Sequence, residues 1–277
     1  MDVVRLSAFS DGTVGGNPAG VLIGSALPSI EDMQMIAAEV GYSETAFAAP
    51  QGDQWRVRYF APESEVPFCG HATIALGAAL AERVGNGKFS LILNDAEISV
   101  VGAKGVDGYE ATLSSPPTRS GPADPQLVEA ALNLFGYEKS DLDERIPPAL
   151  AAAGAQFLVI ALKQRDRLRD MSYDLDVGKK LMRDAGIITI DLVHAEADQL
   201  FHARNPFASG GVYEDPATGA ACAAFCGYLR DLGWPHGGRI EVIQGEDMGM
   251  RSRLFAEIDA TPGNPIQVSG AVRVITE

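Results

Sequence analysis

The feature that most constrains the fold is a pair of helical stretches that have no polar face. His71–Val84 and Pro216–Leu232 both begin with long runs of small and apolar residues on every side of the helix. Such a helix is stable in water only where other elements cover it, so both stretches predict buried helices. The segments that lead into them, Cys69–Thr73 and Asp215–Gly219, match approximately. The pattern therefore predicts an internal duplication, with one buried helix in each half.

Short alternating segments around these helices predict strands, and the 30 glycines of the chain are typical of tight turns between strands. A proline-containing stretch, Ser114–Pro122, lies between the two copies and predicts a linker. We therefore expect an α/β protein of the α+β type, with two pseudo-symmetric domains that each wrap a barrel-like β-sheet around a central buried helix. The N-terminal domain is expected over residues 1–116 and the C-terminal domain over residues 123–265, with the last strand, within residues 266–277, returning to the first domain.

Amphipathic segments predict further helices at the surface. Ser29 can cap the first of them, and Gly41 can end it. Residues 125–135 and 175–185 also carry charges on one side and are each followed by a glycine. These helices are expected to lie at the periphery.

The charge of the chain excludes several classes of partner. Its 37 acidic and 22 basic side chains give a formal charge of −15, which repels phosphate backbones and anionic lipid headgroups. Neither nucleic acid nor a membrane is therefore predicted as a partner. The sequence nowhere reaches the roughly 18 uncharged apolar residues that a membrane span needs, and its three cysteines cannot all pair within one chain. We expect a cytoplasmic protein in a reducing compartment.

The starts of the two buried helices are candidate anion sites, because unpaired N–H groups and the positive end of the helix dipole attract negative charge. Gly70, Gly219 and Ala220 are small enough to let a ligand approach the backbone closely. Two such helix ends that face one cleft could hold a carboxylate. The structural alternative is that Asp215 merely caps the second helix and that His71 fills a satisfied polar niche.

Glu44 lies where the first amphipathic helix gives way to a predicted strand, between Ser43 and Thr45. On an exposed edge strand it would be an ordinary solvated side chain. Inside an otherwise apolar strand it would be partly desolvated, which suits a carboxylate to exchanging a proton with carbon. The residue pattern alone leaves both interpretations open.

Five segments follow the order of the motifs of a known protein family. They are Gly16–Gly20, Met33–Thr45, Tyr59–His71, Glu214–Ala220 and Gln244–Gly249. On these segments the chain resembles the phenazine-biosynthesis isomerase (PhzF-like) family, which has the diaminopimelate epimerase fold. The resemblance runs almost from end to end of the chain.

The resemblance implies a cofactor-independent isomerase or epimerase that moves a proton between carbons of a small carboxylate substrate. The glutamate of the family's Ser-Glu-Thr motif is the general acid/base, which assigns that role to Glu44. By the same correspondence, His71 and Asp215 orient the substrate or relay protons. Members of the family are commonly homodimers, so a homodimer is expected here too.

The resemblance also implies the substrate-binding residues. Gly70 and Gly219 would donate backbone N–H groups to a substrate carboxylate or a developing oxyanion, and Asn17 and Ser43 would line the cleft or its turn. Ala220 is also expected among the substrate-binding residues.

The chain departs from the family pattern at two places. Ala220 stands where the family often has a serine, so one polar contact to the substrate is missing. The family also commonly reads Met-Gly-Arg-Pro-Ser where this chain reads Met248–Ser252, with Met250-Arg251 at its centre. The substrate and the shape of this loop are expected to differ accordingly.

The sequence favours other functions less. The pairs Cys69/His71 and His194/His202 lack the second closely spaced ligand pair of a zinc site, so no metal is predicted. A Cys69-dependent thiol enzyme would need an activating histidine, and His71, two positions along, is expected to point elsewhere. No glycine-rich phosphate motif indicates a nucleotide cofactor. A duplicated cleft could also bind a small carboxylate without turning it over, and this non-catalytic alternative stays open.

Overall fold

The computed structural model describes residues 2–105 and 108–276. Within them, none of the helices is both long and apolar enough to cross a membrane. The described strands are β1 (Val4–Ser10), β2 (Asn17–Ile23), β3 (Thr45–Gln51), β4 (Gln54–Phe60), β5 (Glu65–Val66), β6 (Gly87–Ile92), β7 (Glu97–Lys104), β8 (Tyr109–Ser114), β9 (Thr118–Pro122), β10 (Ala149–Ala153), β11 (Gln156–Ala161), β12 (Ile190–Ala197), β13 (Leu200–Phe207), β14 (Val212–Asp215), β15 (Arg239–Gln244), β16 (Ser252–Glu257) and β17 (Gln267–Val274). The described α-helices are α1 (Ile30–Val40), α2 (Gly70–Val84), α3 (Pro125–Phe135), α4 (Arg165–Arg169), α5 (Leu175–Asp184) and α6 (Gly219–Leu232).

The chain divides into two compact units. The first comprises Met1–Ser114 and Ser269–Glu277, and the second comprises Ser115–Val268. Both contain parallel as well as antiparallel strand pairs. The chain is therefore a mixed α/β protein.

The strands of the first unit pair in a continuous series. β1 pairs antiparallel with β2, with Leu6 opposite Ala19, and β2 pairs parallel with β3, with Gly20 opposite Thr45. β4 follows β3 antiparallel and lies parallel to β6, which is followed by β7 and β8, both antiparallel. β17 pairs with β8 and, antiparallel, with β1. A strand from the end of the chain thus completes this sheet.

The helix α2 packs against the sheet of the first unit along β1, β2, β7 and β8. Leu76 and Leu80 of this helix are fully buried. A Cβ added to Gly102 of β7 would lie 2.0 Å from the carbonyl oxygen of Gly77 in α2, so this strand approaches the helix backbone closer than any side chain allows. The predicted buried helix is confirmed, and it begins one residue earlier than expected, at Gly70.

The strands of the second unit also pair in a series, and α6 packs against it. β9, β10 and β11 pair antiparallel in that order, β11 pairs parallel with β12, and β12 antiparallel with β13. β13 pairs parallel with β15, which pairs antiparallel with β16. The helix packs on β9, β10, β11 and β16, and all its residues from Ala221 to Arg230 are buried. A Cβ on Gly227 would lie 2.7 Å from the Cβ of Thr118 in β9, so a glycine again permits the close approach.

The predicted linker over Ser114–Pro122 is wrong in its second half. Thr118–Pro122 forms β9 and pairs along its whole length with Ala149–Ala153 of β10. Backbone hydrogen bonds to a distant strand impose this structure, and the local composition does not show them.

The predicted start of the second buried helix is also wrong. This helix begins at Gly219 rather than Pro216, because Asp215 still belongs to β14, where it pairs with Asn205. Glu44 lies directly before β3.

The three peripheral helices are confirmed as α1, α3 and α5. In α1 the hydroxyl of Ser29 accepts a hydrogen bond from the N–H of Asp32, and Gly41 ends the helix in the left-handed conformation with φ 71°.

Candidate active site

Three titratable side chains of the first unit meet at the start of α2. One ligand atom each from Glu44, Cys69 and His71 lies within 4.8 Å of the other two. His71 Nε2 lies 3.4 Å from Glu44 Oε2, and His71 Nδ1 lies 3.3 Å from Cys69 Sγ. The hydroxyl of Ser43 lies 3.3 Å from the same Nε2 atom. The imidazole therefore stands between a carboxylate and a thiol.

The first turn of α2 is held in place from inside the unit. Cys69 is the N-cap residue and His71 belongs to the first turn, so both side chains leave the same end of the helix. The hydroxyl of Thr73 donates to the carbonyl of Cys69 at 2.6 Å and accepts from the phenol of Tyr59 at 2.6 Å. Burial raises the pKa of the Tyr59 phenol, so this group stays protonated and remains the donor.

Glu44 reaches the same place from the opposite side. Gly41 ends α1, and the chain turns through Ser43 and Glu44 into β3. A Cβ on Gly20 would lie 2.7 Å from Thr45 Oγ1, so the glycine lets β2 and β3 run close together beside the turn. The side chain of Glu44 is only 18% exposed.

Both ring nitrogens of His71 face groups that can carry a proton. Nε2 lies beside the carboxylate of Glu44 and the hydroxyl of Ser43, and Nδ1 lies beside the thiol of Cys69. Three groups that can each give or take a proton are thereby connected through His71.

The structure overturns the expectation that Cys69 and His71 point apart. Residues two positions apart do not face each other inside a helix. Cys69, however, has an extended backbone with φ −142° and ψ 120°, so regular helical spacing does not apply to this pair. Glu44, which completes the cluster, comes from a different element and therefore escaped a search for closely spaced ligands.

A second cluster surrounds Asp215 in the second unit. The hydroxyl of Thr218 donates to Asp215 Oδ2 at 2.5 Å. The amide of Gln244 donates to the carbonyl of Asp215 at 2.7 Å and to Thr218 Oγ1 at 3.0 Å, and it accepts from the N–H of Thr218 at 3.1 Å. Thr218 is the N-cap residue of α6, so Asp215 does not occupy the helix-cap position considered for it above. These contacts hold its carboxylate against Thr218, the residue directly before α6.

The loop after β15 is fixed against this second cluster. Gly245 has φ 72°, and an added Cβ would lie 2.7 Å from the carbonyl oxygen of Pro216, so only glycine fits there. Glu246 binds Arg165 and His202. Burial alone would raise the pKa of Glu246, but the hydrogen bonds from Arg165 and His202 hold it below its usual value. The ionised carboxylate anchors the loop.

The remaining candidates lie at the starts of elements. Gly70 opens α2, and an added Cβ there would meet no atom within 4 Å. Asn17 opens β2 and is buried. Thr218 and Gln244 were not among the predicted site residues, although Gln244 is the first residue of a segment already recognised as similar to a family motif, which was the signal for it.

The chain is similar to known isomerases over nearly its whole length. An uncharacterized isomerase of Bacillus subtilis is 29% identical over 276 residues, which cover 95% of this chain and 92% of the relative. Another, from Mesorhizobium japonicum, is 30% identical over 92% of this chain and 89% of the relative. The trans-2,3-dihydro-3-hydroxyanthranilate isomerase of Pseudomonas aeruginosa is 28% identical over 96% of this chain and 94% of the relative.

Solved structures share the fold. A Bacillus anthracis phenazine biosynthesis protein of the PhzF family superposes with a TM-score of 0.84 at 22% identity, over 99% of this chain and 96% of that one. A hydroxyproline epimerase from Agrobacterium vitis, with bound trans-4-hydroxy-L-proline, superposes with a TM-score of 0.66 at 10% identity, over 99% of this chain and 88% of that one.

These likenesses define the class of the protein as an isomerase with the fold of the PhzF proteins. Residues 6–276 match the family of phenazine biosynthesis-like proteins, PhzC-PhzF. The chain belongs to this family, as its sequence motifs predicted.

Proposed function

We propose that this isomerase works without a cofactor and moves a proton between two carbons of a small carboxylate-bearing substrate, with Glu44 as general acid and base. The observation that carries the proposal is the position of the Glu44 carboxylate, 18% exposed and 3.4 Å from His71 Nε2. A carboxylate with little water around it, and with one oxygen oriented by an imidazole, keeps its second oxygen for a substrate.

The reaction needs only this carboxylate to change its protonation state. Glu44 takes a proton from a substrate carbon, and the electron pair of the broken C–H bond stays on the substrate as an enolate-like anion. The carboxylic acid then returns the proton to a second carbon, where a new C–H bond forms. Nothing is oxidised or reduced, and Glu44 ends ionised as it began.

The start of α2 supports the anion that forms in between. The first N–H groups of a helix lack partners within it, and the dipole places positive charge at the same end. The space beside Gly70, where no atom lies within 4 Å of an added Cβ, gives a substrate oxygen access to these donors. Asn17 and Ser43 complete the substrate contacts proposed for the first unit.

Family resemblance extends the proposal to the second unit. There Asp215 orients the substrate or relays a proton, and Gly219 and Ala220 contact it. The methyl group of Ala220 offers no hydrogen bond, which favours a substrate with an apolar group at that point. The substrates in the names of two relatives, a hydroxyanthranilate and a hydroxyproline, both carry a carboxylate and support this substrate class.

The same proposal covers the architecture. Each unit is a barrel-like sheet closed around one buried helix, and the two repeat a common design. The pairing of β17 with both β1 and β8 supports closure in the first unit. Helices that begin with small residues at Gly70 and Gly219 support the repeat.

Proton exchange with solvent tests the function. The protein is incubated in deuterated buffer with a panel of small amino, hydroxy and unsaturated carboxylates, and mass spectrometry follows deuterium incorporation. We expect at least one carboxylate to gain deuterium at carbon and to isomerise. A carboxylate that binds in calorimetry, while no member of the panel exchanges, would instead identify the non-catalytic binding protein.

A further inference from the structure

The cluster at the start of α2 has the composition of a zinc site. We propose that Glu44, Cys69 and His71 bind one Zn²⁺ ion and that the bound ion inhibits the isomerase reversibly. The binding stands on the geometry of the cluster alone. The inhibition rests on the proposed function, because it follows from the loss of Glu44 as a proton carrier.

One ligand atom of each side chain lies within 4.8 Å of the other two, so side-chain rotation can bring all three to one ion. His71 Nε2 lies 3.9 Å from Cys69 Sγ and 3.4 Å from Glu44 Oε2. Zinc bonds of about 2.3 Å to sulfur and about 2.0 Å to nitrogen and oxygen place tetrahedral ligand atoms roughly 3.3–3.6 Å apart. The nitrogen and oxygen therefore already have the required separation. The sulfur lies nearer to Nδ1, at 3.3 Å, than to Nε2, so the Cys69 side chain has to rotate away from Nδ1 to reach an ion bound at Nε2.

The donor set also suits the charge of the ion. A thiolate, a neutral imidazole and a carboxylate are ligands that zinc accepts together. On binding, the thiol proton of Cys69 leaves for solvent, and His71 binds the ion through Nε2 as a neutral imidazole whose proton is on Nδ1. The charge of Zn²⁺ is then balanced by one thiolate and one carboxylate. A neutral complex is the favourable outcome where the side chains of His71 and Glu44 are 7% and 18% exposed.

Three protein ligands leave the fourth position of the ion open to water, as in metal sites that exchange their ligands. The carboxylate oxygen that binds zinc cannot accept a proton from a substrate carbon. Chelation by EDTA removes an ion held in this way, so the inhibition is reversible.

Metal binding is measured first, without any substrate. The reduced protein is titrated with Co²⁺, which reports a thiolate ligand through its near-ultraviolet charge-transfer absorption, and with Zn²⁺ in a calorimeter. We expect one ion per chain. Cys69→Ser should abolish the charge-transfer band and weaken zinc binding at least about 100-fold. Loss of a residue that only hydrogen-bonds to a metal ligand already costs about 10–100-fold in affinity, and Cys69 is itself a ligand.

Two further variants make the site assignment specific. Glu44→Gln should weaken binding at least about tenfold while keeping the thiolate band. Cys222→Ala, which removes a buried cysteine of α6, should bind both metals as the parent does. Unchanged zinc affinity in Cys69→Ser, or a band that disappears in Cys222→Ala, would overturn the site. Serine is a preferred N-cap residue, and thermal unfolding of Cys69→Ser verifies that the variant is folded.

Turnover is measured second, on a carboxylate found by the exchange screen. The zinc concentration that halves the rate should equal the dissociation constant from calorimetry in the parent, shift upward at least about 100-fold in Cys69→Ser, and be reversed by EDTA. Zinc that binds the parent through Cys69 without slowing turnover would leave the metal site standing and contradict the role of Glu44. Failure of the metal site and failure of the proposed function are thus distinguishable.

Discussion

Replacing Asp191 by asparagine removes a buried carboxyl group from the second unit while nearly preserving its shape. Asp191 lies in β12 and is 2% exposed. Its Oδ1 accepts a hydrogen bond from the amide of Asn205 at 2.9 Å, and the Asn205 oxygen accepts from the hydroxyl of Thr189 at 2.6 Å. Burial raises the pKa of Asp191 to about 7, against the opposing effect of the Asn205 hydrogen bond.

The direction of the pH effect on stability follows from the pKa of Asp191 in the folded and in the unfolded protein. The folded protein holds the Asp191 proton up to a pH of about 7, whereas an unfolded chain releases it at about 3.9. As the pH rises between these values, the unfolded state is increasingly favoured, and the free energy of unfolding falls by about 1.4 kcal/mol per pH unit. From pH 5 to pH 8 the loss is about 3 kcal/mol. Asp191→Asn does not titrate, so it should gain this amount relative to the parent.

Urea unfolding at pH 5, 6, 7 and 8 measures the difference. The free energy of unfolding of Asp191→Asn minus that of the parent should increase across this range, with most of the increase below pH 7. Asp53→Asn, in the exposed turn between β3 and β4, is the matched control and should follow the parent. A difference between Asp191→Asn and the parent that is constant with pH would refute the reasoning.

Two further substitutions test the packing around the candidate site, both by urea unfolding. Gly102→Ala places a Cβ 2.0 Å from the carbonyl oxygen of Gly77 and should lower the free energy of unfolding by about 1–3 kcal/mol or more. The control Gly121→Ala, with no atom within 4 Å of its Cβ, should stay within about 0.5 kcal/mol of the parent. Equal effects of the two substitutions would contradict the close contact between α2 and β7. Glu214→Gln removes the charge that pairs with buried Arg204, whose Nε donates to Glu214 at 2.9 Å, and should cost about 3–5 kcal/mol. A cost below about 1 kcal/mol would show that this ion pair is dispensable.

The buried helices were predictable because their composition leaves no alternative to burial. A stretch such as His71–Val84, with small and apolar residues on every side, must be covered wherever it lies. The strands that cover it carry weaker signals. Ala149–Ala153 is rich in alanine, which favours helix, and it is a strand because β9 and β11 bind both of its edges.

The candidate site was predictable where family motifs marked it and unpredictable where backbone geometry decided it. The motifs singled out Glu44 and His71, and the structure brings these two side chains together. The contact between Cys69 and His71 depends on an extended N-cap residue. The contacts of Gln244 depend on the end of β15 lying beside Thr218. Neither arrangement follows from residue types at a given spacing.

The central claim is that one carboxylate carries the proton, and the turnover number of Glu44→Gln tests it most directly. On a substrate identified by deuterium exchange, Glu44→Gln should retain the dissociation constant and the thermal stability of the parent while kcat falls by about 10²–10⁴-fold. Glu39→Gln, on the exposed side of α1, should turn over like the parent. A folded Glu44→Gln protein whose kcat stays within about twofold of the parent would contradict the mechanism.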